Sequence, residues 1–307
     1  MKISTTQYFN QTTQQLGDIQ ASLSKTQTQL SLGKKITKPS DEPDKAAVVS
    51  RLQSAIARQQ SYQETLKTAG TRLSSEETTL RSAGDVISRI KELATQAASD
   101  TVGAKDRQSL AQEIDSLREQ LLSLANSQDA NGNYLFAGSR ANEPAFAKDA
   151  KGRVVYQGDQ ARMQVNIGDS RRLSLNRVGS DVFARVNRTD DKGVTTGVDF
   201  FQSLADLSAA IRSSDRTAMT RGVAEVDQLQ NGLSEGIGQV GADQAVVDAQ
   251  TGVLEQLILQ LKSSKSDVED LDYTEAVTRM NRDELALQAA QSSFAKISQL
   301  NLFQFLR

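Results

Sequence analysis

The placement of proline constrains this chain more than any other feature. There are three prolines in 307 residues, Pro39, Pro43 and Pro144. None lies between Asp44 and Glu143, and none follows Pro144. Proline removes a backbone donor and clashes with the preceding helical turn. Two long stretches are therefore free to run as continuous helix. Glycine marks the contrast, with eight of the 19 glycines falling between Gly132 and Gly197. Long helices should flank a turn-rich middle.

Hydrophobic spacing agrees. Phe9, Leu16, Leu23 and Leu30 recur every seventh residue, with Thr12, Ile19 and Thr26 as companions. A second helix is expected to start near Ser40 or Asp41, either a good N-cap, with Pro43 in its first turn. One heptad position carries Leu52, Gln59, Leu66, Leu73, Leu80, Ile87 and Ala94. The other carries Val48, Ala55, Tyr62, Ala69, Glu76, Ala83, Ile90 and Ala97. That register implies roughly 75 Å of helix. Ser99 to Ala104 turns the chain, and Leu110, Ile114, Leu117, Leu121 and Leu124 mark a third helix.

The period changes in the middle. Arg162 to Ile167 and Arg172 to Asn176 alternate polar and apolar, and Val154-Val155-Tyr156 is a short apolar run. Gly158, Gly168 and Gly179 separate them, which reads as a small antiparallel β unit. Helix returns with Phe200, Leu204, Leu207 and Ile211, then a long heptad from Val226 through Leu233, Val240, Val247, Leu254 and Leu261 to Val268. Leu229, Leu257 and Leu271 hold its second position. Met280, Leu287 and Phe294, with Ala290 and Ile297, mark a last helix. The fold class is mainly α with a small β domain inserted between two helical halves. The expected division has three parts. Residues 1–38 with 274–307 form a terminal coiled coil, 39–141 with 199–273 a long-helix bundle, and 142–198 the β insertion.

Composition removes most chemistry. The chain has no His, Cys or Trp. Triads and dyads that need His or Cys, His-ligated zinc, thiolate sites and disulfides are excluded. A net charge of -2 with 5% aromatics does not suit nucleic acid. Gly236-Ile237-Gly238-Gln239-Val240-Gly241 matches G-x-G-x-x-G, but helical residues precede it where a nucleotide site needs a strand. Asp129 to Asn133 reads as an Asn-Gly turn, since a calcium loop needs Gly sixth and Glu twelfth. Asp190-Asp191 reads as a solvated loop. The arginines from Arg153 to Arg188, interleaved with Asp149, Asp159, Asp169 and Asp181, read as a solvated face. No catalytic, metal-binding or cofactor-binding residue is expected, and no cofactor. The first residues lack the apolar core of a cleaved signal, and no run is long enough to span a membrane.

The terminal arms are the candidate site. An ordinary seam satisfied within one chain is one reading. Against it, Thr12, Thr26 and Asp283 dilute the seam. Each ordered residue costs ~1–2 kcal/mol, against ~0.8 kcal/mol per buried CH₂. The better reading is that the arms order by packing against neighbouring subunits. The subunit-packing set is Phe9, Leu16, Ile19, Leu23, Leu30, Met280, Leu287, Phe294, Ile297, Leu302 and Phe305.

The run Leu30 to Pro43, L-S-L-G-K-K-I-T-K-P-S-D-E-P, resembles the flagellin-type L-S-x-G-[KR]-[KR]-I-x-x-P-S-D-D-P segment. Ile3-Ser4-Thr5 with Tyr8-Phe9, Asn131 to Gly138, Ser266 to Tyr273 and Leu300 to Leu306 also fit. Together they resemble the flagellar hook-associated protein 3 (FlgL) family, across both helical halves. Leu32 and Glu42 depart from the usual residues. The resemblance implies a non-enzymatic adaptor of the bacterial flagellum at the junction of hook and filament. It implies export through the flagellar type III channel on an uncleaved signal, and an export chaperone on the C-terminal arm. The implied partners are copies of itself in a helical ring, a neighbouring hook-associated protein and flagellin. No nucleic acid and no membrane is implied. The rivals are flagellin or a minor filament subunit, and a secreted coiled-coil adhesin.

Overall fold

A computed structural model describes residues 2–189 and 193–305, with side-chain environments for residue 7 and for 9–189 and 193–296. Helices α1 (Lys2–Leu32), α2 (Pro43–Ala97) and α3 (Ala104–Ala125) come first. Three hairpins follow: β1 (Phe146–Lys148) with β2 (Val154–Tyr156), β3 (Gln164–Asn166) with β4 (Arg172–Ser174), and β5 (Val186–Thr189) with β6 (Thr195–Val198). A short α4 (Gly179–Val182) lies between the second and third hairpins. Then come α5 (Phe200–Ser213), α6 (Arg216–Glu269) and α7 (Tyr273–Phe305). All three strand pairs are antiparallel. The mainly helical class with a small β part stands.

Helix α2 begins at Pro43, and the Ala46 N–H donates to the Glu42 carbonyl at 2.9 Å. Glu42, not Ser40 or Asp41, therefore occupies the entry position. The G-x-G-x-x-G run lies inside α6, as its heptad requires. Asp129 accepts from the Asn131 and Asn133 N–H groups at 2.8 and 3.0 Å, with Gly132 at φ 82°. This is the expected turn. Asp190-Asp191 lies outside the described residues.

Contacts divide the chain into two units. One holds residues up to Gln59 and from Gln256 onward; the other holds Gln60–Glu255. Both α2 and α6 contribute to each. This two-way division by contacts differs from the three expected parts. The reason lies in the second unit, where hairpin residues share one core with the helices. Leu66, Ala69, Leu73, Leu80, Ala83, Ile87, Ile90, Ala94 and Ala97 of α2 are buried beside Leu229, Leu233 and Val240 of α6. Ile167, Leu173, Val182 and Val186 belong to the same cluster. Hairpins of three- and four-residue strands cannot close a core alone. Five of the nine phenylalanines, Phe136, Phe146, Phe183, Phe200 and Phe201, also gather there. The Phe183 ring lies 5.2 to 6.1 Å from those of Phe146, Phe200 and Phe201, within the range of favourable aromatic pairs.

Within the first unit the α2 seam drifts. Val49 and Ile56 are buried, whereas Val48, Leu52 and Ala55 are half-buried. A straight helix rotates against a seven-residue repeat.

Arg153, Arg162, Arg172 and Arg185 keep the expected solvated face, whereas Arg171, Arg177 and Arg188 reach the helices. Arg177 donates to Glu76 of α2 at 2.7 Å and to Asp243 of α6 at 2.6 Å. Arg188 pairs with Glu225 at 2.6 Å and with Asp206 at 2.6 Å. Arg171 donates to buried Gln250 at 2.7 Å. In return Arg72 of α2 donates to the Leu175 carbonyl at 2.9 Å and to Asp129 at 2.8 Å. These cations fasten the hairpins to the helices. Their alternation with aspartates concealed this, because pairing partners lie far away in sequence.

Glu76 is 0% exposed, and its Oε1 accepts no hydrogen bond. Burial pushes its carboxyl up from 4.5 to about 7, against the pull of Arg177 and Arg72. The fold thus holds a proton that the unfolded chain releases as pH rises from 4.5. Stability should fall as pH rises between about pH 5 and about pH 7. Glu76→Gln should flatten that slope in urea titrations across the window. An unchanged slope in the variant would place the proton elsewhere.

Candidate functional site

The arms meet within one chain. Helices α1 and α7 pack against each other, and three contacts fix their sense. The Phe9 and Phe294 rings lie 4.9 Å apart. The Ser22 hydroxyl donates to Asp283 at 2.7 Å. The Leu271 N–H donates to the Gly33 carbonyl at 3.1 Å. Moving forward along α1 moves backward along α7, so the pair is antiparallel.

The joint beyond α1 is built from the Leu30–Pro43 run. Gly33 adopts φ 68°, and a Cβ there would meet the Tyr273 hydroxyl at 2.9 Å. Only glycine takes this conformation at no steric cost. Lys34 pairs with Glu269 at 2.7 Å, and the Lys35 N–H donates to the Glu269 carbonyl at 2.8 Å. Gln29, buried, donates to the Lys35 carbonyl at 2.6 Å. Asp41 accepts from Lys25 at 3.0 Å, from the Thr37 hydroxyl at 3.0 Å and from the Lys38 N–H at 3.1 Å. These bonds, Lys25 first, hold its carboxyl down at about 2. Asp272 opens α7 by accepting from the Thr274 and Glu275 N–H groups at 2.9 and 3.1 Å, as an N-cap does.

Burial along the pair is uneven. Leu16, Ile19, Leu23, Leu30, Met280, Leu287 and Phe294 are half-buried, and Phe9 is 50% exposed. None of these expected packing residues is fully covered. The side chains of Ile297, Leu302 and Phe305 lie outside the described residues. Among the described residues the buried positions of the pair are Thr26, Gln29 and Ala276. Gln29 and Ala276 escaped sequence reasoning because neither stands out as apolar bulk. Gly33, Asp41 and Glu269 stand in the runs that carry the family resemblance, but the bonds they make were not legible there. The signal for Asp41 was present in its N-cap chemistry, which the chain uses on a turn instead. On the outside of the pair, Leu285 is 67% exposed, Leu32 56%, Tyr273 56% and Val277 41%.

Half-burial decides the energetics. A fully buried Leu or Phe contributes about 1.5–3 kcal/mol, so a half-covered one contributes about half that. Ordering each residue costs about 1–2 kcal/mol. A two-helix pair with this seam is marginal by itself, and the uncovered halves remain available to other surfaces.

The outward halves of the chain, on either side of the hairpins, match two family models. One describes the bacterial flagellin N-terminal helical region and covers residues 3–141. The other describes the bacterial flagellin C-terminal helical region and covers residues 223–306. The chain belongs to the flagellin-like family. Among relatives of this flagellin-like chain, flagellar hook-associated protein 3 of Escherichia coli (strain K12) is 29% identical, over 99% of each chain. Its counterpart in Salmonella typhimurium is 27% identical, over 100% of each. The crystal structure of the flagellar junction protein FlgL from Legionella pneumophila superposes with a TM-score of 0.58 at 15% identity. It covers 66% of the flagellin-like chain and 99% of its own length. At that identity the likeness is one of fold.

Gly33→Ala should loosen the joint by about 1–2 kcal/mol, from the positive φ and the Tyr273 contact. Native-state hydrogen exchange checks this. Amides of α7 from Ala276 to Leu287 should exchange faster, with those of α3 unchanged. Equal rates in both proteins would mean the joint tolerates a side chain.

Proposed function

We propose that this chain is a structural adaptor of the bacterial flagellum, forming the junction layer between hook and filament. The observation that carries the proposal is the half-covered α1/α7 seam, with Leu32, Tyr273, Val277 and Leu285 exposed beside it. Such a pair gains by packing against further copies. The match to hook-associated proteins over the full chain supports the same role. The mechanism is geometric and needs no catalysis. Leu16, Ile19, Leu23, Leu30, Met280, Leu287 and Phe294 supply packing area, extended by Phe9, Ile297, Leu302 and Phe305. Identical copies form a helical ring through these helices. One side of the ring meets a neighbouring hook-associated protein, and the other meets flagellin. The chain reaches this place through the flagellar export channel, with a chaperone on its C-terminal arm before secretion.

The flagellin family models also favour a filament subunit as a second reading. Copy number separates the two: roughly one helical turn per flagellum for an adaptor, thousands for a filament protein.

The double variant Leu23→Asp, Phe294→Asp should fail to join hook to filament, while the unit spanning Gln60–Glu255 keeps its helical signal. Electron microscopy of the flagella and circular dichroism of the purified chain read the two effects. Normal junctions built from the variant would sink the packing role. Limited proteolysis of the purified monomer tests the marginal arms directly. Early loss of α1 and α7, leaving a resistant core, is expected. A chain resistant over its full length would mean a hairpin stable without neighbours.

A further inference from the structure

Among the described residues each strand pairs with one partner only, so each sheet has two edges. Edge strands present unpaired N–H and C=O groups that template a further strand. The β4 edge differs from a bare edge in what lies beside it.

Ladder parity identifies the free groups. The Ile167 N–H donates to the Arg171 carbonyl, and the Leu175 N–H to the Met163 carbonyl. With Val165 opposite Leu173, those three pairs are the hydrogen-bonded ones. Arg172 and Ser174 lie opposite Asn166 and Gln164, in the alternate pairs. Their N–H and C=O groups therefore point away from β3.

A cleft of about 770 Å³ is lined by all of β4 and by none of β3. It lies on the free edge. The facing wall is α6 at Gly232, Gly236 and Gln239. Nothing stands within 4 Å of where a Cβ on Gly232 would be. Beside Gly232 that wall carries no side chain, which leaves open space next to the β4 edge.

Charge gives the cleft its preference. Arg162 is paired with Asp181 at 3.0 Å, and Arg177 with Glu76 and Asp243. Arg172 is exposed, and among the described residues no carboxylate lies within ion-pairing distance of it. Glu235, at the far wall, disfavours a second anion there.

We propose that the cleft between β4 and α6 takes an extended peptide segment of another protein, added as a third strand on β4. Arg172 pairs with one carboxylate of that segment. Main-chain bonds at Arg172 and Ser174 supply affinity, and the guanidinium supplies selectivity. The chemistry of the segment is read from Arg172, which among the described residues has no carboxylate partner while Arg162 and Arg177 have theirs. This inference stands apart from the α1/α7 packing and survives its failure.

The test uses the full-length, isotope-labelled chain and blocked six-residue peptides of alternating valine and threonine. One carries a central aspartate, the second a lysine in its place, and the third N-methyl groups on alternate residues. The aspartate peptide at millimolar concentration should slow exchange of the Arg172 and Ser174 amides by about tenfold or more. The lysine and N-methyl peptides should not. Arg172→Glu should reverse the preference between aspartate and lysine, and Gly232→Leu should abolish binding by filling the cleft. Unchanged exchange at both amides overturns the proposal, as does equal protection by the lysine peptide. Protection that appears without peptide and grows with protein concentration would assign the edge to a second copy, and overturns it too.

Discussion

The second unit depends on one seam, the row of α2 side chains from Leu66 to Ala97 facing Leu229, Leu233 and Val240. Alternating three- and four-residue steps keep these positions on one face of a helix. Burying them removes apolar surface from water along this stretch of the helix. Ala69, Ala83, Ala94 and Ala97 are 0% exposed. Their small size lets neighbouring elements approach closely. Hairpins too short to stand alone then find a prebuilt surface on which Ile167, Leu173 and Val186 are covered.

Glu76 shows the limit of that seam. It occupies a core position of the heptad and is fully buried. A carboxylate there is costly unless it is paired. Arg177 reaches it from the hairpin segment, and Arg72 lies one turn away. The pairing exchanges some stability for a defined place where the hairpins attach. The same logic governs Arg188 with Glu225, a carboxylate that is 3% exposed in α6.

The α1/α7 pair is built on the same repeat with a different outcome. Its seam residues are half-covered, and its buried positions include Thr26 and Gln29. With only two helices, each apolar stripe meets one partner and keeps a wet flank. The joint at Gly33, Asp41 and Glu269 fixes how the chain enters and leaves the pair. The difference between a closed core and an open seam is a matter of how many elements surround the stripe.

Sequence by itself determined the long helices, because proline is absent after Pro43 in α2 and from all of α6, and apolar residues recur every seventh position from Leu66 to Ala94 and from Val226 to Val268. It also determined the turn at Asn131-Gly132 and the alternating strands around Gly168, which depend on local backbone preferences. It placed the candidate seam on α1 and α7, since periodicity marks a face. Tertiary structure alone decided how the contacts divide, since that depends on which cores the hairpins share. It alone decided that Arg72, Arg171, Arg177 and Arg188 are fasteners rather than solvated charges. Each partner stands many residues away, and spacing carries no record of such pairs. It also decided that the terminal seam is half-covered. Periodicity shows which face is apolar, whereas the number of neighbours packed against that face is a property of three dimensions.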